Sequence, residues 1–221
     1  TRLDYAGYLT SAMRADSCIE KVLRVLKEEN LDRNTIILYT TDHGIAFPHM
    51  KCNLYDTGTG VAFIIKYPDN PSAGQVSDVL ASQIDLYPTI CELLGIETPE
   101  WAEGCSLVPV LEKRCEEVHK AVYAEITYHA AYEPQRSVRT KRYKYIRHYG
   151  DYNRYVPANI DNGYSKSFLI SNGLLDSTRY MEELYDLYLD PGERNNLVGT
   201  EGYEEILEYM KSLLERHQRE T

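Results

Sequence analysis

Apolar residues recur at helical spacing through the first thirty positions, with Tyr5, Tyr8, Leu9, Ala12 and Met13 followed by Ile19, Val22, Leu23, Val25 and Leu26. The pattern predicts a long amphipathic helix, broken near Asp16 and packed on a sheet. Asn30 and Asp32–Asn34 make the turn into a short apolar run, Ile36–Tyr39, and a second such run, Val61–Lys66, ends at Tyr67, Pro68 and a DNPSAG loop. Uninterrupted apolar runs of this length predict buried parallel strands covered on both faces. Between them lies Gly44–Gly60, a connection without a full helix, which points to a functional loop.

Asp85 is placed to cap the helix LYPTICELLGI, with Pro88 in its first turn and Gly95 as its stop. Trp101–Leu111 reads as a loop followed by a short helix. From Ala121 the period changes. AVYAEI, RSVRT and RYKYIRHY, separated by polar or turn residues, predict antiparallel strands with Arg136, Arg139 and Lys144 on a solvated face. Asp151–Thr178 has no period and reads as a loop or insertion. Glu183–Leu189 predicts a last strand closed by Asp190, Pro191 and Gly192. Glu204–Arg216 predicts an amphipathic helix through Ile206, Leu207, Met210, Leu213 and Leu214.

The expected fold class is α/β, in two parts. Residues 1–115 read as part of a layered α/β domain, and 116–221 as a small antiparallel sheet with a terminal helix. Two evident strands are too few for a parallel sheet to stand alone. The expected partner is therefore a missing N-terminal part of the same protein, or a complementary chain. A start at Thr1 inside a helix fits that expectation.

Composition adds exclusions. A chain of 221 residues with 43% hydrophobic and 26% charged residues has ample material for a core. A formal net charge of -10 argues against a nucleic-acid partner, although a local group of cations can still attract a small anion. No apolar run is long enough to span a bilayer. The five cysteines are odd in number and have no C-x-x-C spacing, so neither a zinc knuckle nor a complete disulfide framework follows.

The chemistry concentrates at the end of the first strand, in Thr40, Thr41, Asp42, His43 and Gly44. In open α/β sheets ligands collect at the carboxyl ends of strands. A carboxylate beside an imidazole suits a divalent cation, and glycine lets the chain turn away. Taken alone, the same residues also suit a helix cap with a solvated histidine.

NTIILYTTDHG, then Lys51, an apolar strand, SQIDLYPTICELLGI, RSVRTKRYKYI and ELYDLYLDPGERNNL together resemble the C-terminal half of a sulfatase of the alkaline phosphatase superfamily. The loop GIAFPHMKCNLYDTGT is similar to that of the N-sulfoglucosamine sulfohydrolases, or sulfamidases. The resemblance implies a partial alkaline-phosphatase-like layered sheet and hydrolysis of a sulfate ester or sulfamate on a sulfated sugar. It assigns Asp42 and His43 to a divalent metal and Lys51 to the sulfate. His49 and His129 become candidate substrate-facing or proton-transferring groups. Calcium is the expected cation, with manganese, iron or zinc favoured by the imidazole of His43.

The family's nucleophile, a formylglycine made in a C-x-P-x-R or S-x-P-x-R motif, has no counterpart among the 221 residues. It is expected on the missing N-terminal part, and the chain alone is expected to be inactive. Two rival readings stand beside this one: a phosphonate monoester or phosphodiester hydrolase of the same superfamily, and a non-catalytic carbohydrate-binding or interaction module.

Overall fold

The computed structural model describes residues 1–220. In chain order its elements are α1 (Arg2–Glu28), β1 (Ile37–Thr40), α2 (Asp56–Thr59), β2 (Phe63–Lys66), α3 (Leu86–Leu94) and α4 (Val108–Leu111). Then come β3 (Val122–Tyr128), β4 (Tyr132–Arg139), β5 (Tyr143–His148), α5 (Tyr164–Ser171), β6 (Glu182–Asp186) and α6 (Glu204–Glu220). The chain packs as two units, one of Thr1–Asp69, His129–Ala131 and Tyr152–Arg179, the other of Asn70–Tyr128, Tyr132–Asp151 and the residues from Tyr180 on.

In the first unit, α1 runs unbroken through Asp16, contrary to the expected break. No proline interrupts it, and the Ser17 hydroxyl donates to the Met13 carbonyl one turn back, so the local polar residues are absorbed by the helix. Nor is α1 buried on a sheet: none of its residues is fully buried, and Leu9, Met13, Val22 and Leu23 are exposed. Its Asp4 accepts bonds from the backbone N–H groups of Tyr164 at 3.2 Å and Ser165 at 2.6 Å, so a residue of α1 caps the start of α5. Ser165, through its side chain first and its backbone N–H second, and then the Tyr164 N–H hold the Asp4 carboxyl below its ordinary range.

The strands β1 and β2 pair antiparallel, with Ile37 opposite Lys66 and Thr40 opposite Phe63, which corrects the expected parallel pair. An apolar run carries no direction; the path of the connection decides it. The same pair is not covered on both faces, because β2 alternates between half-buried and exposed residues and Ile64 lies open. Asp151–Thr178, expected as a structureless insertion, contains α5 and a 3-10 turn at Pro157–Asn159.

In the second unit, β3 to β6 form one antiparallel sheet in chain order, as their alternating patterns predict. The helix α6 lays Met210 and Leu214 against Val138, Tyr145 and Leu184, with Ile206, Leu207 and Leu213 packed around them. Strand β6 stops at Asp186, three residues short of the expected end. The Asp186 Oδ1 accepts from the N–H groups of Tyr188 and Leu189 and bends the chain away. Lys144 is not on a solvated face: it is buried, with its ammonium 3.3 Å from the equally buried Glu193. Asp85 does not cap α3 directly. Its carboxylate accepts from the N–H groups of Ser82 and Cys105 and meets His119, which pins the turn before α3, while Gly95 ends that helix at φ 65°.

Candidate functional site

Strand β1 delivers its chemistry to a loop closed by backbone contacts. Beyond Thr40, the hydroxyl of Thr41 accepts from the N–H of Ala62, which ties the two ends of the connection together. The Gly44 N–H donates to the Gly58 carbonyl at 2.9 Å. A Cβ on Gly44 would come within 1.9 Å of the Thr57 carbonyl oxygen, and one on Gly58 within 2.2 Å of that of Met50. Both glycines are therefore required by close approach of backbone to backbone. The Lys51 N–H donates back to the Ile45 carbonyl at 3.1 Å, and buried Leu54 anchors the descent into α2.

At the mouth of this loop Asp42 and His43 face each other. The His43 Nε2 lies 3.5 Å from Asp42 Oδ2, with the Asp42 side chain 86% exposed and that of His43 38%. The His43 Nδ1 is 2.7 Å from the Gly44 carbonyl oxygen. A carbonyl only accepts, so Nδ1 carries a proton, and the ring sets its Nε2 on the side of the aspartate. One oxygen and one nitrogen donor thus converge at a solvent-accessible position, a donor set that fits a divalent cation. Among the described residues no group of three or more His, Cys, Asp and Glu side chains could hold a metal. Two donors alone fall short of the four or more that a divalent cation ordinarily takes.

Lys51, on the same loop, engages Asp161: its ammonium lies 2.9 Å from Oδ2 and 3.3 Å from Oδ1. The Asp161 hydrogen bond raises the lysine above its ordinary pKa against the opposing effect of burial, and the nearby Cys52 and Asp42 add smaller attractions. His49, held at φ 62°, sets its ring edge-to-face with Tyr155 at 5.2 Å. Tyr155 and Asp161 both come from the stretch expected to be an insertion. Asn159 in that stretch accepts from the N–H groups of Ala130 and Ala131 at 3.0 and 2.8 Å, fixing the turn that carries His129. The His129 residue itself is exposed.

The structure thus brings Asp42 to His43 and Lys51 to Asp161, and gives His49 an aromatic neighbour. The functional candidates missed in the sequence are Tyr155, Asn159 and Asp161. Asn159, Asp161 and Asn162 after Pro157 mark a turn, and nothing local says which element it faces.

Residues 3–96 match the family model described as Sulfatase. The chain is 32% identical over 208 residues to an ulvan-active sulfatase of Formosa agariphila, across 92% of this chain and 41% of that protein. It is 29% identical over 248 residues to the N-sulphoglucosamine sulphohydrolase of Homo sapiens, covering 100% of this chain and 48% of the relative. A solved structure described as a complex with its substrate D-glucosamine-2-N,6-O-disulfate superposes with a TM-score of 0.76 at 28% identity, over 96% of this chain and 40% of that one. The chain spans between two fifths and one half of the length of these relatives.

Proposed function

We propose that this chain, whose residues 3–96 match the sulfatase family model, carries the cation-binding and anion-binding half of an enzyme that hydrolyses a sulfate ester or sulfamate on a sugar. The observation that carries the reading is the convergence of Asp42 Oδ2 and His43 Nε2 at the end of β1, with Lys51 on the loop that springs from the same point. The similar proteins act on sulfated sugars, as their names and the glucosamine disulfate complex say, and this chemistry is proposed here by likeness.

Asp42 and His43 would hold the divalent cation, with the remaining donors from polypeptide outside these residues. When bound, that cation supplies positive charge for the sulfuryl oxygens and for the ionised form of the nucleophile. The imidazole makes manganese, iron or zinc as suitable as calcium. Lys51 would bind a sulfuryl oxygen through its ammonium, kept charged by its acidic neighbours. His49 and His129 are the proposed groups for orienting the sugar or passing a proton to the departing oxygen or nitrogen. The nucleophile, a formylglycine in this family reading, would come from the complementary N-terminal segment. Residues 1–115 would then complete the catalytic layer, with 116–221 as the C-terminal subdomain.

The decisive experiment joins this chain to that segment and measures turnover of an aryl sulfate and of N-sulfoglucosamine. Asp42→Ala and Lys51→Ala are each expected to lower kcat/KM by about 10²–10³-fold. Undiminished turnover in either variant removes that residue from the site. The 221 residues alone are expected to show no turnover, and activity from them would overturn the placement of the nucleophile.

A further inference from the structure

The Lys51–Asp161 pair has a position that a purely structural ion pair does not need. It joins two stretches 110 residues apart, yet it lies at the surface, with the lysine side chain 21% exposed and the aspartate 41%. Elsewhere the stretch that carries Asp161 is held without this contact. Asn159 is bound to Ala130 and Ala131, Lys166 donates to the Ile160 carbonyl and the Asn162 side chain, and Asp4 caps α5. Asp161 is thus presented to Lys51 by a frame that stands independently of the pair. A partly solvated pair of this kind contributes little to stability.

We infer that Asp161 is the resident counterion of Lys51, a positioning residue that holds the ammonium at the loop until an incoming sulfuryl group displaces it. The inference rests on the proposed role of Lys51 and adds a residue to it. Because the pair is exposed and weak, exchange of carboxylate for anion costs little. Because both acceptors compete for one ammonium, Asp161 also raises the anion concentration needed to occupy the site. The groups facing Lys51 are Asp161 by direct hydrogen bond, with Cys52 and Asp42 acting through space.

The test reads lysine chemistry on the 221-residue chain, so it does not depend on turnover. Acetylation of Lys51 is followed by peptide mass spectrometry across pH in the parent chain, Asp161→Asn and Asp161→Glu, with and without inorganic sulfate. The expected result is a Lys51 profile moved to lower pH in D161N and kept near the parent in D161E. Sulfate is expected to protect Lys51 in both backgrounds, at up to about fivefold lower concentration in D161N. Superimposable profiles for the parent and D161N, or no protection of D161N by sulfate, overturns the inference. So does a changed circular dichroism spectrum in D161N, which would make Asp161 a structural group. Failure of the sulfatase reading shows separately, as absent turnover by the joined enzyme.

Discussion

The two units use charge in opposite ways. In the β3–β6 unit, ionisable groups are sealed in: Lys144 and Glu193 are both almost fully buried, as are His148 and Glu183, whose Nε2 and Oε1 lie 2.8 Å apart. In the unit of the β1 loop they are open: Asp42, His43, Lys51 and Asp161 all reach solvent. Shape there is kept by backbone, through Gly44 and Gly58, instead of by buried ion pairs. Buried pairs need their partners because an unpaired charge in the interior is costly. Exposed pairs can exchange theirs, which is what a binding group requires.

The largest expected effect that tests this contrast is in the sealed unit. Glu193→Ala removes the carboxylate 3.3 Å from the buried Lys144 ammonium and is expected to cost about 3–5 kcal/mol in urea unfolding. A loss under about 1 kcal/mol would show that water reaches the lysine and would erase the distinction. Next comes the backbone crossing of the open unit. Gly58→Ala forces a Cβ to within 2.3 Å of the Asn53 carbonyl as well as that of Met50, and about 1–3 kcal/mol of destabilisation is expected.

A smaller, pH-dependent effect belongs to Asp186. Arg142, hydrogen-bonded through Nε and a terminal nitrogen at 3.0 and 2.8 Å, holds its carboxyl below the ordinary range. A carboxyl with a folded pKa below its unfolded value stabilises the fold above the unfolded value of about 3.9 and loses that contribution as pH falls through the folded one. Stability measured from pH 5 downward is therefore expected to fall less steeply in Asp186→Asn than in the parent. Equal slopes would remove Asp186 from the acid transition. The smallest effect is expected at Asp42, where Asp42→Ala should change unfolding stability by no more than about 0.5 kcal/mol despite its proposed importance to turnover. A large loss there would make it a structural group like those of the sheet.

Much of the fold is legible along the chain. The spacing of Ile206, Leu207, Met210, Leu213 and Leu214 predicts α6, and the face it describes is the one that meets Val138, Tyr145 and Leu184. The alternation from Ala121 onward predicts β3 to β5, and Gly95 marks the end of α3 at a positive φ. Of the candidate site, Asp42 and His43 stand out because a strand ends abruptly in polar residues and a glycine, whereas Lys51 is marked only by the resemblance to the sulfatases. Lys144 misleads for a physical reason: alternation tells which face a residue occupies, not whether a distant Glu193 makes burial of that face tolerable. Asp151–Thr178 misleads because α5 draws its N-terminal cap from Asp4, at the other end of the chain.

By itself, then, the amino-acid order determined most of the helices and strands and marked Asp42, His43 and Lys51 as candidate site residues. Only the tertiary structure decided that β1 and β2 run antiparallel, that the His43 Nε2 lies beside Asp42, and that Asp161 meets Lys51. Periodicity and capping act over a few neighbouring residues and can be read from them. Strand direction and ion pairing depend on where the chain returns after many residues, and that is set by the summed packing of the whole path.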